Sequence, residues 1–187
     1  MKKIALVTGA SRGIGASIAV ELSKQRFFTI GTATSSQGAE IIEKNFQNHN
    51  LEGKGYVLNV NDNTSIADLI STISNNHGDI DVLVNNAGIT KDTLLMRMSD
   101  DDWDSVIQTN LKSVYKLSQA VLKPMMKKRS GRIINISSVV GHMGNDGQVD
   151  YAATKAGIAG FTHSLAQELC SSHITGSCVA SGFLAWA

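Results

Sequence analysis

Short apolar runs alternate along this chain with stretches in which apolar residues recur every third or fourth position. The runs predict strands at Ile4–Thr8, Phe27–Thr32, Tyr56–Val60, Asp81–Val84 and Arg132–Ile136. Between the first two, Ile14, Ile18 and Leu22 repeat at four-residue intervals, which is one face of a helix. Ile66, Leu69, Ile70 and Ile73 follow the i, i+3, i+4, i+7 rule behind a cap at Asp62 or Thr64. A long helix over Asp100–Met126 places Trp103, Ile107, Val114, Leu117 and Val121 on one stripe, and a further helix is expected over Tyr151–Leu169. Strands alternating with helices imply a parallel sheet covered on both faces. Right-handed crossovers then give an α/β doubly wound fold of the Rossmann type. No linker, repeat or low-complexity segment interrupts the pattern, so one domain is expected over residues 1–187.

Composition adds exclusions. The chain is 42% hydrophobic and 18% charged, with 17 basic against 16 acidic residues. That near balance gives no reason to expect nucleic acid or an anionic membrane as partner. No apolar run approaches the length of a membrane span. The opening Met1–Val7 is too short for a signal peptide and runs straight into a glycine turn. Cys170 and Cys178 fit neither a redox pair nor a zinc ribbon, and no two of the five histidines stand three or four apart. A reducing cytoplasm is the simplest setting, with no metal site.

The first strand hands over to its helix through Thr8-Gly9-Ala10-Ser11-Arg12-Gly13-Ile14-Gly15. Glycines let a backbone turn tightly and approach a pyrophosphate, and the helix behind offers free N–H groups. After the second strand, where an NAD enzyme places a carboxylate for the ribose 2′-hydroxyl, the chain reads Gly31-Thr32-Ala33-Thr34-Ser35. No acid is there to repel a 2′-phosphate, and Arg12 and Thr34 are available to bind one, which favours NADP. Arg12 could equally be a solvated loop residue. Asn59-Val60 ends the third strand and Asn85-Asn86-Ala87-Gly88 the fourth, at the carboxyl ends where open α/β sheets bind ligands; turn chemistry is the plainer reading of each asparagine alone.

Ser138 follows the fifth strand, Tyr151 comes 13 residues later, and Lys155 stands one helical turn beyond. A ketone reduced by hydride needs a proton at its oxygen. A neighbouring ammonium is expected to lower the pKa of the Tyr151 phenol toward the working range, while Ser138 donates to the same carbonyl oxygen. Asn110 falls on the apolar stripe of the long helix, either as a core amide bonded to backbone or as the anchor of a proton-relaying water.

Taken together, the segments 8–15 and 85–88, with Asn110, Ser138 and Tyr151-Ala-Ala-Thr-Lys155, resemble the short-chain dehydrogenase/reductase family in order and spacing. The resemblance implies a catalytic tetrad of Asn110, Ser138, Tyr151 and Lys155, with Ser138 and Tyr151 meeting the substrate. It implies cofactor contacts at Gly9, Ala10, Ser11, Arg12, Gly13, Ile14, Gly15, Thr34, Asn59, Val60 and Asn86, joined by Tyr151 and Lys155. Ile89–Asp92, Leu94–Met98 and Ser138–Asn145 are similar to the branch of the family that acts on acyl-carrier protein in fatty acid biosynthesis. That likeness implies reduction of a 3-oxoacyl thioester to the 3-hydroxyacyl thioester by NADPH, in a cytoplasmic homotetramer. An acidic carrier protein needs a basic landing site, for which Lys127-Lys128-Arg129 is the candidate; cations at a helix C-terminus are also ordinary dipole partners.

Two departures from the family pattern set further expectations. Gly176 and Ser177 fall inside the sixth strand, where glycine weakens pairing, and Ser181 stands where the family has proline. The family also continues beyond the position of Ala187 into a substrate lid and a last strand with its helices. Without them the sixth strand is expected to be an exposed edge. Two other readings stay open: a reductase of small ketones, and an NADP-binding remnant without activity.

Overall fold

The computed structural model describes residues 2–182, and among them six parallel strands form one sheet. The strands are β1 (Ile4–Val7), β2 (Phe28–Ala33), β3 (Gly53–Val57), β4 (Ile80–Asn85), β5 (Gly131–Ser138) and β6 (Ile174–Ser181), in the spatial order β3-β2-β1-β4-β5-β6. All four residues of β1 are buried, as a central parallel strand under helices on both faces requires. Successive residues alternate between the two faces. Ile4 and Leu6 pack with α3 (Asn63–Asn76), α5 (Ser113–Lys128) and α7 (Val149–Leu169), through side chains such as Ile73, Leu117 and Leu165. Ala5 and Val7 pack with α1 (Gly13–Lys24) and α2 (Ser36–Asn48), through Ala19, Ile42 and Phe46. Because the order reverses between β1 and β4, a crevice opens at the carboxyl ends of these two strands, which is where such sheets bind ligands.

Several elements differ from the sequence expectations. The third strand starts and ends three residues earlier than Tyr56–Val60. Its first residues, Gly53 and Gly55, lie so close to α2 that a Cβ would meet the Phe46 ring at 2.4 Å and the Ala39 carbonyl at 2.1 Å. Glycines read as breakers therefore permit the pairing here. Helix α2 was not foreseen, because it buries Gly38 and Ala39 besides Ile42 and Phe46 and so carries a thin apolar signal. Its start is marked by Ser35, whose Oγ accepts from the Gly38 N–H at 3.1 Å. For α3 the cap is Asp62, accepting from the Thr64 N–H at 2.8 Å.

The helix expected over Asp100–Met126 is α4 (Asp100–Ile107) running into α5 through a π-helical turn at Gln108–Lys112. The extra residue of that turn shifts the phase of the buried stripe. Val106 is fully buried, whereas Trp103, expected inside, is 36% exposed. Strand β6 forms in spite of Gly176 and Ser177, pairing from Gly131↔Ile174 to Ser138↔Ser181 along the long template of β5. It is an edge of the sheet among the described residues, with Thr175, Ser177 and Val179 exposed on the face away from α7. No described helix is long and apolar enough to cross a membrane.

Candidate active site

The glycine turn between β1 and α1 is built by its neighbours as much as by its own sequence. Gly9 and Gly13 have φ of +66° and +60°, a region that side chains disfavour. Thr8 Oγ accepts from the N–H groups of Asn86 and Ala87, both at 3.0 Å. The Asn86 amide in turn donates to the carbonyls of Thr8 at 2.9 Å and Gly9 at 3.1 Å. A Cβ on Gly15 would lie 2.2 Å from the Gly9 carbonyl oxygen and 2.4 Å from Asn86 Nδ2. The turn is thus folded back on the start of α1 with no room for a methyl group, and the first N–H groups of α1 carry no side-chain cap.

A cleft of about 430 Å³ opens over this turn. Gly9, Ser11, Arg12, Gly13, Ile14 and Gly15 line its floor, with Thr34, Val60 and Asn86 on the sides. Two residues expected here stand apart from it. Ala10 is 1% exposed and sits beneath the turn, where a Cβ on Gly31 would approach its methyl group at 2.9 Å. Asn59 makes turn contacts: its Oδ1 accepts from the Asn61 N–H and its own N–H donates to Ser65 Oγ, each at 3.1 Å. Asn86 lines the cleft but spends its amide donors on the turn. The Arg12 side chain forms no hydrogen bond or ion pair among the described residues, its carbonyl accepting only from the Ala16 N–H, and no carboxylate directly follows β2. A cradle that excludes side chains, with a free guanidinium and a hydroxyl at its rim, fits a dinucleotide carrying a 2′-phosphate.

Beyond the cleft, β5 delivers Ser138 and α7 delivers Tyr151 and Lys155. The helix is held to the strand by Ser137, whose Oγ donates to the Lys155 carbonyl at 2.8 Å. Close approach to α6 (Val140–Met143) depends on Gly141, where a Cβ would meet the Ala156 backbone nitrogen at 2.8 Å. Lys155 is 5% exposed, and its Nζ donates to the Ile136 carbonyl at 2.8 Å and stands 5.3 Å from the centre of the Tyr151 ring. Burial pushes the Lys155 ammonium down to about 8, partly offset by Cys178 on β6.

The expected lowering of Tyr151 by that ammonium is not found. Burial holds the Tyr151 phenol above its ordinary value; Ser138 draws it down and the Asp92 carboxylate raises it further. Burial is the largest influence on the phenol, and the one hydrogen bond of Lys155 Nζ among the described residues goes to the strand carbonyl. Asn110 is 1% exposed in the π-helical turn, where its Oδ1 accepts from the Ile89 N–H at 2.8 Å and its Nδ2 donates to the Ile89 carbonyl at 2.9 Å. A longer contact of 3.3 Å reaches Thr154 Oγ on the Tyr151 helix. Both backbone groups of Ile89 are satisfied this way, so Asn110 ties the segment after β4 to the helix layer.

Several contributors have no assigned role in the sequence. Thr8 and Asp92 enter it only as members of the segments 8–15 and 89–92. Asp150 is fully buried, with Oδ1 accepting from the Tyr151 N–H at 2.6 Å and Oδ2 without a partner among the described residues. The basic triplet at the end of α5 (Lys127, Lys128 and its cap Arg129) lies by the start of β5, the end opposite Ser138. Seven residues of strand put it roughly 23 Å away. Lys128 is bonded to Asp81 at 2.7 Å, and Arg129 to the Ser171 carbonyl at 2.9 Å and to His173 at 3.1 Å.

Known proteins of similar sequence point to one family. The chain is 59% identical over 183 residues to the 3-oxoacyl-[acyl-carrier-protein] reductase of Haemophilus influenzae, covering 98% of this chain and 74% of that protein. The proteins of the same name from Escherichia coli and Pseudomonas aeruginosa are 56% and 54% identical over 182 residues, covering 97% of this chain and 73% and 74% of theirs. A family model for short chain dehydrogenases matches residues 3–186. With nearly every residue inside that match, the chain belongs to the short-chain dehydrogenase family.

Proposed function

We propose that this chain reduces a 3-oxoacyl thioester, carried on acyl-carrier protein, to the 3-hydroxyacyl thioester with NADPH as reductant. The observation that carries the chemistry is the meeting of Ser138, Tyr151 and Lys155 at the same end of the sheet as the glycine-lined cleft. The substrate rests on similarity to reductases whose names specify it.

NADPH bound in the cleft supplies the hydride. The turn from Gly9 to Gly15 holds the pyrophosphate, and Arg12 and Thr34 hold the 2′-phosphate. Ser138 donates a hydrogen bond to the 3-oxo oxygen and Tyr151 delivers the proton to it, so the C=O becomes CH–OH. Burial keeps Tyr151 protonated at neutral pH, as an acid requires. Lys155 has three N–H donors, one of them bound to Ile136, which leaves two for the nicotinamide ribose. With its pKa held at about 8, Lys155 is mainly ammonium at neutral pH. Asn110 acts as a positioning residue through Ile89, and it is the family's candidate for holding a relay water.

Acyl-carrier protein is the protein partner in this reading, met in the cytoplasm by an assembled, tetrameric enzyme. The triplet 127–129 serves as landing site only if the assembly brings it to the catalytic end of a neighbouring subunit. The test compares turnover of a short 3-oxoacyl thioester with that of simple ketones. Preference for the thioester is expected; equal or better use of free ketones favours the small-ketone reductase instead.

A further inference from the structure

The glycine-floored cleft has two side walls. One is the loop from β3 to α3, which contributes Leu58 and Val60; the other is the segment after β4, from Asn86 to Ile89. Both walls are fastened to the same π-helical turn. Asn110 holds Ile89 through both backbone groups. Its neighbour Thr109, which lines the cleft and is buried, accepts from Asn61 Nδ2 at 2.9 Å. The turn is wider than an α-helix and is held so by Ser113. The Ser113 N–H donates to the Gln108 carbonyl, five residues back, while Ser113 Oγ donates at 2.6 Å to the Thr109 carbonyl, the group its N–H would take in an α-helix. The loop from β3 has little else to hold it. Asn59 accepts from the N–H groups of Asn61 and Asp62 and donates to Ser65, all within the loop and the start of α3. Among the described residues, the Asn61–Thr109 bond is the one hydrogen bond that ties residues 59–62 to any other element.

We infer that Asn61 and Thr109 are positioning residues for the cofactor: their bond fixes the β3–α3 loop beside the half of the cleft that takes the adenosine end, before any ligand arrives. This rests on the reading of the cleft as the NADPH site. The half follows from the order of the sheet. Ser138, Tyr151 and Lys155 come from β5 and α7, so the nicotinamide lies toward β5. Thr34 and Val60 follow β2 and β3 on the other side of β1, and the adenosine with its 2′-phosphate lies there. A loop that is already ordered adds nothing to the cost of binding, whereas a loose one must be ordered at the expense of affinity. The worth of one ordinary hydrogen bond sets the scale, about two- to tenfold in Kd. Neither partner is needed for the core. Asn61 is exposed, so its amide turns to water when Thr109→Val removes the acceptor, and valine matches threonine in size.

The test is a fluorescence titration of the full chain with NADPH, followed by displacement with adenosine 2′,5′-bisphosphate, which carries the adenosine end alone. Asn61→Ala and Thr109→Val are each expected to raise both Kd values by the same factor, about two- to tenfold. Combining them should cost no more than either alone, because both act through one bond. Thr109→Ser keeps the hydroxyl and should bind as wild type does, which a loss caused by repacking would not allow. Because Asn61 is exposed, Asn61→Ala also reads the bond in a protein whose core is untouched. Wild-type affinity in Asn61→Ala, losses that multiply in the double variant, or Thr109→Ser as weak as Thr109→Val overturns the inference. So does a loss of NADPH affinity with the bisphosphate bound as before, which would put the effect at the nicotinamide end. In each of these cases wild type still binds NADPH and the reading of the cleft stands. A folded wild-type chain that binds neither molecule overturns that reading, and the inference with it.

Discussion

Replacing Gly15 with alanine adds one methyl group where the structure has none to spare. The new Cβ would stand 2.2 Å from the Gly9 carbonyl oxygen and 2.4 Å from Asn86 Nδ2. The first contact is backbone, so a rotamer change cannot relieve it, and overpacking of this kind costs about 1–3 kcal/mol. Moving Asn86 aside also loosens its bonds to Thr8 and Gly9, each worth about 0.5–1.5 kcal/mol. Together these remove on the order of 2–6 kcal/mol, a large part of a native margin of about 5–15 kcal/mol. For a chain of this size a loss near the middle of that range lowers Tm by on the order of 10 °C. Because the displaced carbonyl belongs to the phosphate-facing turn, NADPH affinity should fall at least about tenfold, equivalent to 1.4 kcal/mol. Thermal melts and fluorescence titration with NADPH read the two effects. A Gly15→Ala protein with wild-type Tm and wild-type NADPH affinity would refute the tight-turn reasoning.

Gly160 is the contrasting case: nothing lies within 4 Å of a Cβ there and it sits inside α7, so Gly160→Ala should stabilise the fold by about 0.5–1 kcal/mol in urea denaturation. A loss of stability would contradict that. Lys155 gives a pH signature. Its folded pKa of about 8 lies below the unfolded value of 10.5, so the unfolded chain binds more protons between them and stability rises with pH there. The penalty for holding the ammonium inside is fully present below about pH 8 and is on the order of 3 kcal/mol. Lys155→Met should therefore be inactive yet more stable than wild type near neutral pH, with the gap narrowing as pH rises toward 10; a constant or widening gap counts against it. Thr34→Asp puts a carboxylate where none follows β2, and should lower NADPH affinity by at least about tenfold relative to NADH. An unchanged ratio of the two affinities would place the 2′-phosphate elsewhere.

What could be read from the sequence was local. The run Ile4–Val7 feeding a glycine turn, and Tyr151 with Lys155 one helical turn apart, carry their meaning within a few residues. What could not be read depends on contacts between distant segments. Lys155 Nζ goes to Ile136, Asn86 serves the turn of Thr8 and Gly9, and Asp92 meets Gln148; no spacing rule announces such pairs. Helix α2 escaped notice because it packs through Gly38 against Ala33 of β2 and through Ala39 against Gly55 of β3, so close approach stands in for large side chains. The π-helical turn rotated the stripe of the long helix and left Trp103 partly exposed, which a uniform helical period cannot anticipate. The Tyr151 phenol moved against expectation because burial, which residue spacing does not report, outweighs its hydrogen bond with Ser138.

The most direct measurement is NADPH oxidation by the purified chain with a short 3-oxoacyl thioester, set beside its Tyr151→Phe variant. Turnover in the first and a loss of at least about a hundredfold in the second is expected, since proton delivery by a positioned acid contributes about 10²–10⁴-fold. A folded, NADPH-binding chain that turns over nothing, or a Tyr151→Phe protein as fast as wild type, would contradict the reading of this site as a thioester reductase with Tyr151 as its acid.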